Sequence, residues 1–176
     1  MSEPRWLTDD EQRVWRSYQA AASMLSAHLE GQLQHDAGMP PSYYEVLVAL
    51  SEADGRRMRM SELASARDSS RSRLSHAVSR LEAKGWVRRE SCPTDKRGSW
   101  AVLTDAGFAA LAEAAPGHVE AVREALFDQL TPEQVRQLGE IADAVVGGMR
   151  PRCRAAREAA DAAEEAVELA ALRKSG

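Results

Sequence analysis

Aromatic side chains are scarce in this chain: Phe, Trp and Tyr together make up 5% of its 176 residues. With abundant alanine, that scarcity favours helices over a β-sandwich. Cysteine is scarcer still. Cys92 and Cys153 lie far apart and have no metal-type spacing, so a reducing cytosol is the expected setting and no metal site is assigned. No apolar run approaches the ~18–20 residues that a membrane span needs, so no membrane partner is expected. Met1-Ser2-Glu3-Pro4-Arg5 lacks the basic-then-apolar order of a signal peptide. A Gly-rich phosphate loop, a zinc signature and a nucleophile motif are all missing, so the chain is expected to have no catalytic residues and no cofactor.

Charge is what the chain does have, and it is unevenly placed. Arg56 to Thr104 holds 12 of the 23 basic residues and 5 of the 27 acidic ones, a local net of +7. The remainder carries −11, so the overall −4 conceals a basic middle. A phosphate responds to the field close by, screened beyond roughly 8 Å, and the local sign is the one that matters.

The elements follow from capping and periodicity. Thr8 and Glu11 form a capping box, and Val14, Trp15, Tyr18, Ala21, Ala22, Leu25, Leu29 and Leu33 recur at helical spacing to about Asp36. Gly38 through Pro41 stops that helix. Ser42 with Glu45 reads as a second box opening an apolar helix, and Asp54-Gly55 turns the chain. Arg57-Met58-Arg59 alternates as a short edge strand. Ser61 is expected to cap the next helix, Asp68-Ser69-Ser70 to make a turn, and Arg71–Lys84 to form a helix closed by Gly85. Val87–Ser91 and Ser99–Leu103 read as strands around a basic tip at Pro93-Thr94-Asp95-Lys96-Arg97-Gly98. Thr104-Asp105 caps a helix that Pro116-Gly117 should kink or break. Thr131, Pro132 and Gln134 begin the last helix. After Pro151 the tail is Ala, Glu and Arg, expected as a frayed helix or disorder.

On a helical wheel Leu74, Ala77, Val78 and Leu81 share the core face of the second central helix. Arg73, His76 and Arg80 occupy the opposite side, with Ser72, Ser75 and Ser79 around them. Small hydroxyls and forked guanidiniums suit the major groove, where arginine can bond guanine O6 and N7 together. Arg71 lies nearer the core boundary and suits a phosphate. A charge stripe by itself usually means a solvated face. The neighbouring basic finger changes that balance, since an arginine meets concentrated negative potential in a narrow minor groove. These residues make a helix-turn-helix followed by a wing, the mark of a DNA-binding protein. A protein-interaction module on the same scaffold is the alternative, but it has no need of +7 beside a small polar reading helix.

The order of elements resembles the MarR (multiple-antibiotic-resistance regulator) family of winged-helix transcription regulators. The matching stretches are Met60-Ser61-Glu62-Leu63-Ala64, Ser70-Arg71-Ser72-Arg73-Leu74-Ser75, Leu81-Glu82-Ala83-Lys84-Gly85, Cys92 through Gly98, and Leu103-Thr104-Asp105-Ala106-Gly107. The wing opens with Cys92-Pro93 where the family commonly has Asp-Pro. The resemblance covers residues 8–150. It implies a mainly α fold with a small β-hairpin wing: a winged-helix DNA-binding lobe at 42–104 and helical dimerisation regions at 8–36 and 105–150, while the tail at 151–176 has no counterpart in the family. It also implies a cytoplasmic, nucleoid-associated homodimer that represses from a pseudo-palindromic operator on double-stranded DNA and is released by a small aromatic effector. Carried over to this chain, the DNA-binding residues are Ser70, Arg71, Ser72, Arg73, Ser75, His76, Ser79 and Arg80 on the reading helix, with Lys96 and Arg97 on the wing. Asp95 orients the wing, or makes a simple Asx-turn.

Other side chains point to nothing specific. Cys92, near Arg88, Arg89 and Lys96, reads as an inert turn cysteine before it reads as a redox sensor. His28, His35 and His118 are scattered. Trp15, Tyr18, Tyr43 and Tyr44 fit helix packing or a dimer core better than a ligand cleft, so no ligand residues are assigned.

Overall fold

In a computed structural model, the chain is described over residues 3–66, 70–92 and 95–174. Among the described residues, six α-helices and a three-stranded sheet make a helical frame around a small winged lobe. The helices are α1 (Asp9–Ala37), α2 (Pro41–Glu52), α3 (Met60–Ala66), α4 (Arg71–Ala83), α5 (Asp105–Ala125) and α6 (Pro132–Lys174). The strands are β1 (Arg57–Arg59), β2 (Val87–Cys92) and β3 (Asp95–Leu103), in spatial order β1-β3-β2 and all antiparallel. The expected winged helix-turn-helix with its edge strand is therefore present.

The lobe is built on one apolar centre. Val46, Leu47 and Leu50 from α2, Leu63 from α3, and Leu74, Val78 and Leu81 from α4 meet Val87, Ala101 and Leu103 of the sheet, all buried. Burying a side chain such as Leu or Val contributes roughly 1.5–3 kcal/mol, so this cluster is the main force orienting α4. Helix α4 ends in a Schellman arrangement. Gly85 takes a left-handed φ of 72°, its N–H donates to the Glu82 carbonyl, and the Trp86 N–H donates to the Leu81 carbonyl.

The Thr8–Glu11 box is formed in both directions, and so is the Thr131–Gln134 box. Ser70 and Thr104 cap α4 and α5 as expected, but two other starts move. Helix α2 begins at Pro41 after Pro40, with no side-chain cap, and Ser42 lies one residue inside it. Proline already has a helical φ and has no N–H to leave unsatisfied, so the cap is dispensable there. Ser61 likewise sits inside α3. The Glu62 carboxylate instead accepts from the Arg59 N–H just before the helix.

Pro116 does not break its helix, because α5 runs from Asp105 to Ala125. The carbonyl that loses its partner, at Ala112, is on an exposed residue where water can satisfy it, and α5 is held along its length by α1. The tail after Pro151 carries helical backbone to Lys174, and every side chain described there is exposed. No described helix is long and apolar enough to cross a membrane.

The start of α5 is pressed against the end of α4. Thr104 Oγ1 donates to the Gly85 carbonyl at 2.7 Å, with the Trp86 carbonyl at 3.1 Å, and accepts from the Gly107 N–H at 3.0 Å. A Cβ at Gly107 would run into the Trp86 carbonyl oxygen, with the carbonyl carbon 2.8 Å and Leu103 Cδ1 2.9 Å away. Backbone cannot rotate aside as a side chain can. Gly107→Ala is therefore expected to cost at least ~1–3 kcal/mol, the usual range for overpacking. Thermal unfolding should show a lowered midpoint, and an unchanged midpoint would contradict the contact.

Candidate nucleic-acid interface

Ser70 starts the central helix. Its backbone is extended, and its Oγ accepts from the Arg73 N–H at 3.3 Å. From that cap the 3.6-residue period sets every direction. Leu74, Val78 and Leu81 go inward, while Arg71, Arg73, His76, Ser79 and Arg80 are exposed and Ser72 and Ser75 are half-buried. The structure therefore brings Ser70, Arg71, Ser72, Arg73, Ser75, His76, Ser79 and Arg80 onto one helix whose outer surface is polar and basic.

The wing is a hairpin whose register slips near its tip. Ser91 pairs with Ser99, but the next pair is Cys92 with Asp95, so Lys96, Arg97 and Gly98 fall within the slipped stretch. Bulges of this kind bend a strand and increase its twist. Strand β3 begins at Asp95, so the expected loop residues Asp95 to Gly98 carry strand backbone. The side chains of Asp95, Lys96 and Arg97 lie outside the described residues, as do Pro93, Thr94 and the turn at Arg67, Asp68 and Ser69.

Sequence reasoning named Arg71 and Ser75 as site residues here but passed over Arg59, Arg89 and Trp100. Arg59, Arg71 and Arg89 converge with Ser61, Ser75 and Ser99 on a cleft of about 440 Å³ between α3, α4 and the base of the wing. The Arg89 guanidinium donates to the Ser75 carbonyl at 3.0 Å and to the Ser75 and Ser79 hydroxyls at 3.2 Å. On the edge strand, the Arg57 and Arg59 guanidiniums lie over the Trp100 ring, 4.8 and 5.4 Å from its centre. The alternation Arg57-Met58-Arg59 was visible in the sequence. The aromatic partner, 41 residues away from Arg59, had no local signal.

A second cleft, of about 360 Å³, opens where α1, α2 and α5 meet. Leu29, Leu33, Pro41, Tyr44, Glu45 and His118 line it together with Ser26 and Glu30. The rings of Tyr44 and His118 are 4.5 Å apart, and His118 Nδ1 is 3.2 Å from Gln32 Oε1. Because Gln32 Nε2 donates to the Asp36 carboxylate at 2.9 Å, the Gln32 oxygen faces His118 and accepts from Nδ1–H. Nε2 of His118 is then the acceptor in the neutral ring. Burial lowers the His118 pKa below the usual histidine value and raises that of Tyr44. Of the four aromatics considered from sequence, Tyr44 borders this cleft. Trp15 and Tyr18 stack on each other, with ring centres 6.1 Å apart, on the exposed side of α1.

The MarR family model matches residues 37–98. Among solved structures, the chain is similar to Sco3205, a MarR family transcriptional regulator from Streptomyces coelicolor in complex with DNA. The identity is 60%, over 85% of this chain and 93% of that one, with a TM-score of 0.82. AbsC, a MarR family transcriptional regulator from the same organism, is 43% identical over 84% of this chain and 99% of that one, with a TM-score of 0.81. A mutant MarR from E. coli, complexed with operator DNA, shares the fold at 22% identity and a TM-score of 0.69, over 81% of this chain and 99% of that one. No curated protein matches.

Two outcomes follow from this geometry. Ser70→Ala removes the cap of α4 and should cost about 0.5–2 kcal/mol in chemical unfolding, whereas Ser70→Gly should cost only a few tenths. The second concerns pH. His118 holds its proton less tightly folded than unfolded, so stability is lost as pH falls from the unfolded histidine pKa of about 6.5 through the lower folded value. His118→Gln keeps a polar side chain there and should flatten that part of the stability–pH curve. Identical curves for the two proteins would show that His118 does not contribute.

Proposed function

Because the chain belongs to the MarR family, we propose that it is a sequence-specific double-stranded DNA-binding transcription regulator, acting as a homodimeric repressor on a pseudo-palindromic operator. The observation that carries this reading is the two-sided character of α4. Leu74, Val78 and Leu81 anchor it, and Arg73, His76 and Arg80 are left outward beside a basic hairpin. A relative that is 60% identical was solved in complex with DNA, which supports the same role for this helix.

In this reading the lobe at 42–104 engages DNA. Arg73, His76 and Arg80 address base edges in the major groove, Ser70, Arg71 and Ser72 meet the backbone at the start of the helix, and Lys96 and Arg97 follow the minor groove with Asp95 orienting the wing. The segments 8–36 and 105–150 supply the dimer. Val14, Trp15, Tyr18 and Met24 on α1, and Leu138, Ile141, Val145, Val146 and Met149 on α6, are exposed in the single chain. Apolar rows of that extent mark a partner surface. Two-fold symmetry then sets two reading helices about one DNA turn apart, roughly 34 Å. Repression follows if the bound dimer excludes polymerase from an overlapping promoter. The cleft beside Tyr44 and His118 is the place for a small aromatic effector, since it joins the dimer helices α1 and α5 to α2 of the reading lobe. Cytoplasmic, nucleoid-associated residence goes with this function.

The test is binding to an operator selected from random-sequence DNA by the purified chain. With six to eight phosphates neutralised by the dimer, log K should fall against log salt with a slope of about −5 to −7. Arg73→Ala should cost ~1–3 kcal/mol and relax one operator position, whereas Arg97→Ala should weaken most sequences together. A slope near −1, or wild-type affinity in both variants, would overturn the assignment.

A further inference from the structure

Arg89 leaves β2 on the inward face of the sheet. It pairs with Ala101, which is fully buried and also pairs with Met58. Its guanidinium therefore ends against α4. Besides the Nη2 group, whose two hydrogens are shared among the Ser75 carbonyl and the Ser75 and Ser79 hydroxyls, Arg89 Nε lies 3.3 Å from Glu82 Oε2, and the Arg89 backbone N–H donates to Glu82 Oε1 at 3.0 Å. Ser75, Ser79 and Glu82 are spaced by four and three, so they form one row along α4. One wing residue thus grips two turns of the helix. A guanidinium presents its donors in a rigid plane, so these contacts fix rotation and height together, which a point charge cannot do.

We infer that Arg89 is a positioning residue that sets the register of α4 against the wing, and that Ser75 and Ser79 act in recognition as its acceptors rather than as base contacts. This rests on the reading of α4 given above. The Arg89 charge is already matched by Glu82, which fits an internal brace better than a phosphate contact. Contacts to base edges tolerate little misplacement of the helix, whereas contacts from long side chains to phosphates adapt. Arg89 therefore governs discrimination between sequences more than attraction to DNA in general.

The experiment uses the full chain, the best sequence the wild type selects from a random pool, and mixed-sequence DNA. Arg89→Ala should lose about 10–100-fold on the selected sequence, in line with the effect of mispositioned base contacts. On mixed-sequence DNA it should lose less than about threefold, with an unchanged salt slope. Ser79→Ala should lose affinity in the wild type but nothing further in the Arg89→Ala background, as expected of two partners in one interaction. Arg89→Lys should remain impaired. Equal losses on both DNAs with a slope shallower by about 1.8 per dimer would put Arg89 on phosphate and overturn the inference. Additive losses for Ser79→Ala, or full rescue by Arg89→Lys, would overturn it as well. Thermal unfolding and light scattering check the variants. If Arg89→Ala fails to fold, Glu82→Gln and Ser79→Ala carry the same comparison between the two DNAs. A wild type that selects no sequence removes the regulator reading and this inference with it. Selection by the wild type with undiminished discrimination in the variants removes this inference alone.

Discussion

Everything on the basic side of this molecule depends on the burial of one row of α4. Leu74, Val78 and Leu81 are withdrawn from water by α2, α3 and the sheet. The helical period then sends Arg73, His76 and Arg80 the other way. Neither half works alone. The basic face without the apolar row would be a solvated stripe on a wandering helix, and the apolar row without the basic face would be an ordinary core helix. The capped start at Ser70 and the Schellman end at Gly85 fix where the helix begins and stops. The core fixes which way it faces.

Around that helix the structure places rigid joints. The carbonyl of Trp86 is shared by the Thr104 N–H and hydroxyl, and Gly107 lets α5 approach it. The end of α4 is thereby tied to the start of α5 within a few residues of chain. At its other half, α5 meets α1 where Gly117 lies close to Gln32, and His118 there reaches Tyr44 of α2. A rearrangement at this second junction would be felt at α2, which forms one wall of the winged lobe.

Electrostatics reinforce the same division. The basic middle of the chain is not simply a set of free cations. Arg57 and Arg59 lean on Trp100, Arg56 lies over Phe108 with its guanidinium carbon 3.8 Å from the ring centre, and Lys84 stands over Trp86. Arg88 is paired with Glu90, and Arg89 with Glu82. Aromatic faces hold cations without cancelling their charge, whereas carboxylates partly cancel it. The arginines on β2 are thus engaged within the fold, whatever the charge of the surrounding segment.

Several of these features could be read directly from residue order, because they are local. A capping box spans four residues, so Thr8 with Glu11 and Thr131 with Gln134 were legible. A helix face repeats within seven residues, so the inward and outward sides of α4 were legible too, and the left-handed close at Gly85 follows from glycine having no Cβ. The motif ending at Gly107 was visible, although its cause, a carbonyl pressed against the start of α5, was not. Tertiary structure decided what joins distant segments. It set Arg89 against Ser75 and Ser79, Trp100 beneath two arginines, and His118 between Gln32 and Tyr44, 86 and 74 residues away. It also carried α5 through Pro116 and started α2 without the expected serine cap. The physical reason is the same in each case. Periodicity and capping are short-range preferences of a few kcal/mol at most, written in neighbouring residues. Which side chain completes a bond across the fold, and whether packing outweighs a lost cap or a proline, depends on where the buried core brings the elements together.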